Sequence, residues 1–289
     1  MKKLLITGAD GMLATDLADY YKSCGCYHVI QARRSDLDIT SKGMVEQLFK
    51  VQKPDYIIHT AAITNVDFCE EDPEEAMRVN CQGSKNLALY AEKIGAKLVY
   101  ISTCGLFGDD IRPYFEEEPV VLKTAYSKSK HCGEIAVAKN CSRHFIVRPG
   151  WLFGGGIQHK KNFVYNRYLE AIKADVMVAA EDKYGCPTYT RHLAPSLIDL
   201  LTSDKYGIYH ISNAGSASRY DYVKKIIDCF NLKTEVRKVD SGNFPRKAPV
   251  PDCEIIDNNN LRKNSFPLLP SWESAIEEYV DILKKELKI

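Results

Sequence analysis

The sequence predicts an α/β fold built on a parallel sheet, and two observations carry this prediction. In the first half of the chain, short segments that are apolar almost throughout alternate with amphipathic segments of helical length. Such strands are typical of a parallel sheet that helices cover on both faces. The chain is also long enough for a large core, because 45% of its 289 residues are hydrophobic. Right-handed β-α-β crossovers would then give a doubly wound arrangement.

The elements follow one another without an internal repeat. The apolar run 4–6 marks the first strand, and apolar residues at 13, 17, 20 and 21 give the next segment the spacing of a helix. By the same criteria we expect strands over 2–7, 27–31, 55–59, 97–102 and 144–148, alternating with helices over 12–24, 42–51, 74–94 and 125–140. The third of these helical segments is expected to be long, or broken near Gly83.

The texture changes after Pro149, where loops are longer and prolines more frequent. There we expect helices over 162–173, 190–201, 216–230 and 272–287, with strands over 176–179 and 207–211. Ser216 or Ser218 would cap the third of these helices. We therefore divide the chain into a doubly wound domain over residues 1–150 and a smaller C-terminal α/β lobe over 151–289. Some strands of the second part are expected to return to the first sheet.

Charge and composition exclude several classes of function. The chain has 39 Lys and Arg against 38 Asp and Glu, which argues against a broad basic face for nucleic acid. No apolar run approaches the ~18 residues that a membrane span requires, and the run 4–6 is too short for a signal peptide. We expect a cytoplasmic protein with no nucleic-acid or membrane partner. Its ten scattered cysteines are expected to be reduced thiols and not zinc ligands.

A glycine turn joins the first strand to the first helix. Gly8, Gly11 and Ala14 follow the G-x-x-G-x-x-G/A spacing. Gly8 would permit a tight turn, and Gly11 would let a pyrophosphate approach the helix N-terminus, where free N–H groups favour anions. This strand–turn–helix context predicts a Rossmann dinucleotide site.

The residues after the second strand bear on the choice of cofactor. NAD sites often carry an acidic residue about 20 residues beyond the glycines, whereas this chain has Arg33 and Arg34 there and reaches its acids at Asp36 and Asp38. Two guanidiniums suit the 2′-phosphate of NADPH. A solvated basic turn is the alternative, so NADH remains possible.

A tyrosine and a lysine have the spacing of one helix face. Tyr126 and Lys130 are four residues apart in the helix expected over 125–140. A neighbouring ammonium stabilises a phenolate and so tunes the tyrosine for general acid catalysis. Thr103, at the end of the fourth strand, could hydrogen-bond a substrate carbonyl oxygen. Thr103, Tyr126 and Lys130 are therefore the predicted catalytic set.

With these motifs the sequence resembles an extended short-chain dehydrogenase/reductase, and more narrowly the dTDP-4-dehydrorhamnose reductase family. The resemblance covers nearly the whole chain, through segments such as TGADGML, LDIT, YSKSKHCGE, RPGWLFG, YGCPTYTRHLA and GIYHISNAG. It implies a cofactor along Gly8, Gly11, Met12, Leu13, Asp38, Ile39, Ala61 and Ala62, with the nicotinamide ribose held by Tyr126 and Lys130. It also implies a nucleotide sugar facing Val66, Cys104, Trp151, Asn162 and Phe163.

The resemblance implies NADPH-dependent reduction of the 4-keto group of a nucleotide-activated deoxysugar. The expected reaction converts dTDP-4-dehydrorhamnose to dTDP-rhamnose for cell-surface polysaccharide synthesis. The chain departs from the family pattern at Cys104-Gly105, where an acid and an aromatic residue usually follow the threonine, and after Pro245, where an R-P-x-x-S pattern is usual.

Two alternatives stay open at this point. One is a non-catalytic NADP-binding regulatory subunit that resembles the β subunit of methionine adenosyltransferase. The other is a related nucleotide-sugar epimerase or dehydratase. We expect no set of protein metal ligands, and the sequence leaves open both a role for Mg²⁺ and the choice between a monomer and a homodimer.

Overall fold

The computed structural model describes all 289 residues. The strands are β1 (Lys2–Thr7), β2 (Tyr27–Ala32), β3 (Tyr56–His59), β4 (Lys97–Ile101), β5 (His144–Pro149), β6 (Trp151–Phe153), β7 (Val176–Ala180), β8 (Tyr184–Gly185), β9 (Pro187–Tyr189), β10 (Gly207–Ile211), β11 (Ala217–Ser218), β12 (Glu235–Val239) and β13 (Cys253–Glu254). The helices are α1 (Met12–Ser23), α2 (Lys42–Gln52), α3 (Val66–Glu71), α4 (Pro73–Met77), α5 (Ser84–Ile94), α6 (Ala125–Asn140), α7 (Phe163–Ala171), α8 (Thr190–Thr202), α9 (Arg219–Cys229), α10 (Asn259–Lys263) and α11 (Trp272–Leu287). A π-helical turn, Arg78–Gly83, joins α4 to α5, and a 3₁₀ turn covers Ser241–Asn243.

Six strands form a parallel sheet in the order β2-β1-β3-β4-β5-β10. The chain leaves β1 toward β2 on one side and returns to β3 on the other, so the strand order reverses between β1 and β3. Thr7 and His59 are register partners at the carboxyl ends of these two strands. In open sheets of this kind, ligands bind in the crevice outside such a reversal. The predicted doubly wound α/β class is confirmed.

The sheet separates two hydrophobic cores, because successive strand residues point to opposite faces. Leu4 and Ile6 pack with α1 and α8 on one face, whereas Leu5 packs with α2 and α5 on the other. All three side chains are fully buried. Apolar residues therefore occupy every position of β1 from Leu4 to Ile6, as a strand covered on both faces requires.

A third core lies outside this sheet and is mainly aromatic. Trp151, Phe153, Tyr189, Tyr222 and Tyr279 contribute to it from β6, β9, α9 and α11. Short strands pair around it in small sheets, β11-β8-β13 and β6-β9, while β7 pairs with β12. This core supports the elements that face the carboxyl end of the large sheet.

The helical segment expected over 74–94 is broken, and the break is a change of helix type. Pro73 starts α4, the π-helical turn follows, and α5 continues to Ile94. The helix over 125–140 is observed with the same bounds. The expected helices and strands did not include α3, α10 or the strands β6, β8, β9, β11, β12 and β13. Strands of two or three residues carry no periodic signal, and β12 (EVRKV) is too polar to stand out.

The expectation that all cysteines are reduced is wrong for one pair. Cys81 and Cys132 form a disulfide, with their Cα atoms 5.2 Å apart. Cys81 lies in the π-helical turn and Cys132 in α6, and packing of these helices brings together residues 51 positions apart in sequence. The other eight cysteines are free thiols. None of the helices combines the length and the apolar composition needed to cross a membrane.

Candidate active site

The turn between β1 and α1 accepts only glycine at its first position. Gly8 has a φ of +68°, and a Cβ there would lie 2.8 Å from the Cα of Ala61. The N–H of Gly11 then donates to the carbonyl oxygen of Gly8 over 2.9 Å, which closes the turn. No side chain caps α1, and its first turn carries no acidic residue. The free N–H groups beyond Gly11 can therefore bind an anion.

His59 ties the end of β3 to the end of β1. Its Nδ1 lies 2.9 Å from the Thr7 hydroxyl, and its Nε2 lies 3.0 Å from the Ser84 hydroxyl. Burial lowers the pKa of His59 to about 3, so the ring is neutral. The next residues, Ala61 and Ala62, are half-buried beside the glycine turn. Their contact with a dinucleotide, which the resemblance implies, stays a prediction.

The segment after β2 brings two arginines to the same edge of the sheet. Arg33 and Arg34 are exposed, and Nε of Arg33 lies 3.1 Å from the carboxylate of Asp10 in the glycine turn. Asp38 accepts hydrogen bonds from the N–H and hydroxyl of Thr40, at 2.9 and 2.7 Å, which lower its pKa. Ile39 is buried. Arg34 has no salt-bridge partner at this rim, whereas Arg33 is paired with Asp10.

Tyr126 stands at the start of α6, and a capping box fixes that start. The Thr124 hydroxyl accepts from the N–H of Ser127, and the Ser127 hydroxyl accepts from the N–H of Thr124. Burial raises the pKa of Tyr126 well above its usual value, and the neighbouring Thr103 hydroxyl offsets part of this rise. The structure therefore brings together Tyr126 and Thr103, which the sequence places on different elements.

Lys130 lies one turn beyond Tyr126 and is buried. Its ammonium donates to the carbonyl oxygen of Ile101, the last residue of β4, over 2.7 Å. It also lies over the ring of Tyr100, 4.2 Å from the centroid. Burial lowers the pKa of Lys130 to about 7. Tyr126 and Lys130 thus both lie near the end of β4, and Thr103 follows that strand two residues later.

Asn80 is a site residue that the sequence did not single out. It is fully buried in the π-helical turn. Its amide accepts from the N–H of Ile63 over 2.8 Å, and it donates to the Ile63 carbonyl and the Ser129 hydroxyl, both at 2.9 Å. It thereby links the loop after β3 to α6. The signal available in the sequence is a polar residue, Asn80, close to the break expected near Gly83.

A buried ion pair supports α6 from behind. Arg148 of β5 donates to Glu134 through two nitrogens, at 2.8 and 2.7 Å, and both side chains are buried. Burial alone would raise the pKa of Glu134, but hydrogen bonds and charge from Arg148 lower it to about 2. Glu134 lies one turn after Lys130, so the pair fixes the position of the helix that carries Tyr126 and Lys130.

The opposite side of the cleft carries Trp151 and two charged residues that the sequence did not single out. The indole N–H of Trp151 donates to Oε2 of Glu254 over 2.6 Å. The guanidinium of Arg219 lies over the same ring, 3.4 Å from the centroid. Cys104 is buried, with its sulfur 3.9 Å from Oε1 of Glu254. Trp151 and Cys104 were predicted to face the substrate, whereas no local pattern indicated Arg219 or Glu254.

The remaining predicted substrate residues lie at two helix starts. Val66 is the half-buried first residue of α3, and Phe163 is the first residue of α7. Asn162 is fully buried and caps α7 through the N–H of Tyr165, and it donates to the hydroxyl of Tyr279 over 2.6 Å. Its amide is therefore occupied within the protein, and its contact with a sugar stays a prediction. No group of three or more His, Cys, Asp or Glu could hold a metal ion.

The fold and this cleft define the class of protein: a doubly wound α/β protein with a glycine turn of the dinucleotide-binding type. Within this class, residues 1–285 match the family described as the RmlD substrate binding domain, and the chain belongs to that family. The resemblance that the sequence motifs indicate is thereby confirmed.

Several known proteins are similar to this chain over nearly its full length. The spore coat polysaccharide biosynthesis protein SpsK of Bacillus subtilis is 33% identical over 97% of each chain. The crystal structure of a dTDP-4-dehydrorhamnose reductase from Clostridium acetobutylicum has a TM-score of 0.93 at 33% identity and covers 98% of this chain and 99% of that one. The crystal structure of a dTDP-4-dehydrorhamnose reductase from Bacillus anthracis, in complex with NADP, has a TM-score of 0.91 at 34% identity, over 98% and 99% of the two chains.

Proposed function

We propose that the protein is an NADPH-dependent oxidoreductase that reduces dTDP-4-dehydrorhamnose to dTDP-rhamnose, for polysaccharide synthesis. The observation that carries the proposal is the arrangement at the end of β4. Tyr126 lies close enough to the Thr103 hydroxyl for that group to affect its pKa, and buried Lys130 lies one turn along the same helix. The names of the two solved relatives support the reaction, and the NADP bound to one of them supports the cofactor.

The residues of the first domain fit a dinucleotide. Gly8 leaves space that a Cβ would fill, and the first turn of α1 has free N–H groups. In this proposal Gly8, Gly11, Met12 and Leu13 hold the pyrophosphate, Asp38 and Ile39 adjoin the adenine, and Ala61 and Ala62 line the path to the nicotinamide. Arg33 and Arg34 would pair with a 2′-phosphate. The dihydronicotinamide supplies the hydride for the ketone carbon.

Tyr126 is the proton donor in this proposal. Burial keeps its hydroxyl protonated at neutral pH, as an acid in a reduction must be. It gives its proton to the carbonyl oxygen as that oxygen gains negative charge, while the Thr103 hydroxyl donates a second hydrogen bond to it. In its charged form Lys130 stabilises the phenolate that remains. Water then returns the proton to Tyr126.

The part of the chain after residue 150 would hold the nucleotide sugar. Trp151 and the segment Asn162-Phe163 lie on this side, and Val66 and Cys104 adjoin it from the first domain. We propose that these residues face the sugar and its nucleotide.

The test is NADPH oxidation by purified protein against a panel of 4-keto nucleotide sugars, with the sugar product identified by mass spectrometry. We expect stoichiometric consumption of NADPH with dTDP-4-dehydrorhamnose. Conversion of a nucleotide sugar without net cofactor consumption would instead indicate an epimerase or dehydratase. Binding of NADPH with no turnover on any sugar would indicate a regulatory subunit.

A further inference from the structure

The carboxylate of Glu254 lies beside the hydroxyl of Thr103, although the two residues are far apart in sequence. A Cβ on Gly105 would lie 2.8 Å from Oε1 of Glu254 and 3.5 Å from Oγ1 of Thr103. The two oxygens thus flank one point, and the absence of a side chain at Gly105 keeps the space between them open. The other carboxylate oxygen, Oε2, is fixed by the indole N–H of Trp151 at 2.6 Å.

Oε1 of Glu254 has no strong donor within the protein. The only donor near it is the Cys104 thiol, at 3.9 Å, and a thiol is a weak donor. Burial raises the pKa of Cys104 well above its usual value, so this neighbour stays uncharged. The guanidinium of Arg219 stacks on the face of Trp151; burial lowers the pKa of Arg219, and the charge of Glu254 offsets part of that effect. A ligand donor can therefore bind to Oε1 without displacing a strong hydrogen bond of the protein.

We propose that Oε1 of Glu254 accepts a hydrogen bond from an O–H or N–H group on C3 of the sugar, and that this bond decides which nucleotide sugar is accepted. The inference rests on the proposed function, in which Thr103 contacts the oxygen on C4. The neighbours of C4 in a 6-deoxyhexose are C5, which carries the apolar methyl group, and C3. A donor adjacent to the reacting carbonyl must therefore be on C3. A sugar without it leaves the carboxylate unpaired and is rejected.

The substitution Glu254→Gln tests this with little change of shape. The indole N–H of Trp151 can only donate, so it turns the amide oxygen toward itself. The NH₂ group then occupies the place of Oε1, where a C3 hydroxyl can only accept from it, so the charge-assisted hydrogen bond to the carboxylate is replaced by a weaker neutral one. We expect KM for dTDP-4-dehydrorhamnose to rise about 5- to 20-fold, the difference between a hydrogen bond to a charged acceptor and one to a neutral group, with little change in kcat or in NADPH affinity.

The matched control is Glu235→Gln, an exposed residue of β12 that pairs with Arg237. It should leave every kinetic constant at the wild-type value. Both variants are assayed with dTDP-4-dehydrorhamnose and with its 3-deoxy and 3-amino analogues. The wild type should prefer the hydroxyl or amino sugar, and which of the two it prefers identifies the donor. With the 3-deoxy sugar, Glu254→Gln should match or exceed the wild type.

Two results would overturn the inference: an unchanged KM in Glu254→Gln, or an equal rise in KM with the 3-deoxy sugar, which would make Glu254 a merely structural contact of Trp151. Absence of turnover by the wild type with every sugar would instead refute the proposed function. In that case calorimetry with dTDP-rhamnose and its 3-deoxy analogue decides the inference. Weaker binding of dTDP-rhamnose alone to Glu254→Gln would support it, and any other pattern would overturn it.

Discussion

The two sides of the cleft differ in how their polar groups are satisfied. The cofactor wall consists of the glycine turn, the segment 59–65, the π-helical turn Arg78–Gly83 and α6, and its buried polar side chains are hydrogen-bonded within the protein. His59, Asn80 and Lys130 all have partners within the protein. The substrate wall consists of Cys104, Gly105, Trp151, Arg219 and Glu254. In this wall the guanidinium of Arg219 and Oε1 of Glu254 can still form hydrogen bonds with a ligand. We expect substitutions in the first wall to cost stability or turnover on any substrate, and those in the second to change which substrate is used.

The largest effect is expected at Tyr126, whose hydroxyl belongs to the cofactor wall but serves the reaction. The variant Tyr126→Phe removes the proton donor without emptying the ring's space. Turnover should fall about 10²- to 10⁴-fold, the usual contribution of a general acid. NADPH affinity, measured by fluorescence titration, should stay within a few-fold of the wild type.

The control for this prediction is Tyr90→Phe on α5, which lies near Lys2 and Lys97 at the amino ends of β1 and β4. It should keep full turnover. Full activity of Tyr126→Phe would contradict the role of Tyr126 as proton donor and the assignment of catalysis to the cofactor wall.

The buried pair behind α6 tests whether the cofactor wall behaves as protein interior. Breaking it with Glu134→Gln leaves Arg148 buried without its counter-charge, which costs about 3–5 kcal/mol of unfolding free energy. The exposed pair of Arg237 and Glu235 offers the control Glu235→Gln, for which ~0–1 kcal/mol is expected. Urea unfolding of the three proteins at neutral pH measures both differences.

The same pair gives a pH dependence of known sign. The pKa of Glu134 falls from 4.5 to about 2 on folding. The stability that this carboxylate contributes is therefore complete above about pH 4.5 and is lost progressively as the pH falls from there toward about 2. The gap between wild type and Glu134→Gln should narrow in that window. A gap that stays constant from neutral to acid pH would show that the pair does not lower this pKa.

Alanine substitutions at two glycines distinguish the effect of backbone strain from that of a steric contact in the glycine turn. Gly8→Ala should lower the unfolding free energy by about 1–3 kcal/mol, because an L side chain at positive φ is strained, and its Cβ would also meet Ala61. Gly25 has nearly the same φ, +65°, with no atom within 4 Å of a Cβ. Gly25→Ala should therefore lose stability through strain alone, and only Gly8→Ala should also weaken NADPH binding. Equal NADPH affinities in the two variants would contradict the placement of the dinucleotide at this turn.

The two walls also differ in how far the sequence predicts them. Gly8 and Gly11, or Tyr126 and Lys130, lie within a few residues of each other, so strand–turn–helix geometry and the helical repeat are enough to place them together. The contact between Trp151 and Glu254 joins residues 103 positions apart through β13, a strand of two residues. Neither periodicity nor spacing encodes such a contact, which depends on how the aromatic core packs. The link from Asn80 to Ile63 and the disulfide of Cys81 were missed for the same reason.

The smallest effect is expected at the exposed rim of the cofactor wall, formed by Arg33 and Arg34. Polar groups there face solvent, so this rim differs least from the substrate wall. Arg34 is exposed and Arg33 is paired with Asp10. Arg34→Ala should raise KM for NADPH about tenfold and leave KM for NADH unchanged, because only NADPH carries the 2′-phosphate. Arg33→Ala should do less, since its charge is already partly neutralised. Added salt should shrink both effects, as solvent-exposed ion pairs are screened. An equal rise in KM for NADH and NADPH would mean that these arginines stabilise the turn itself. They would then be structural residues, like the buried polar residues of the cofactor wall.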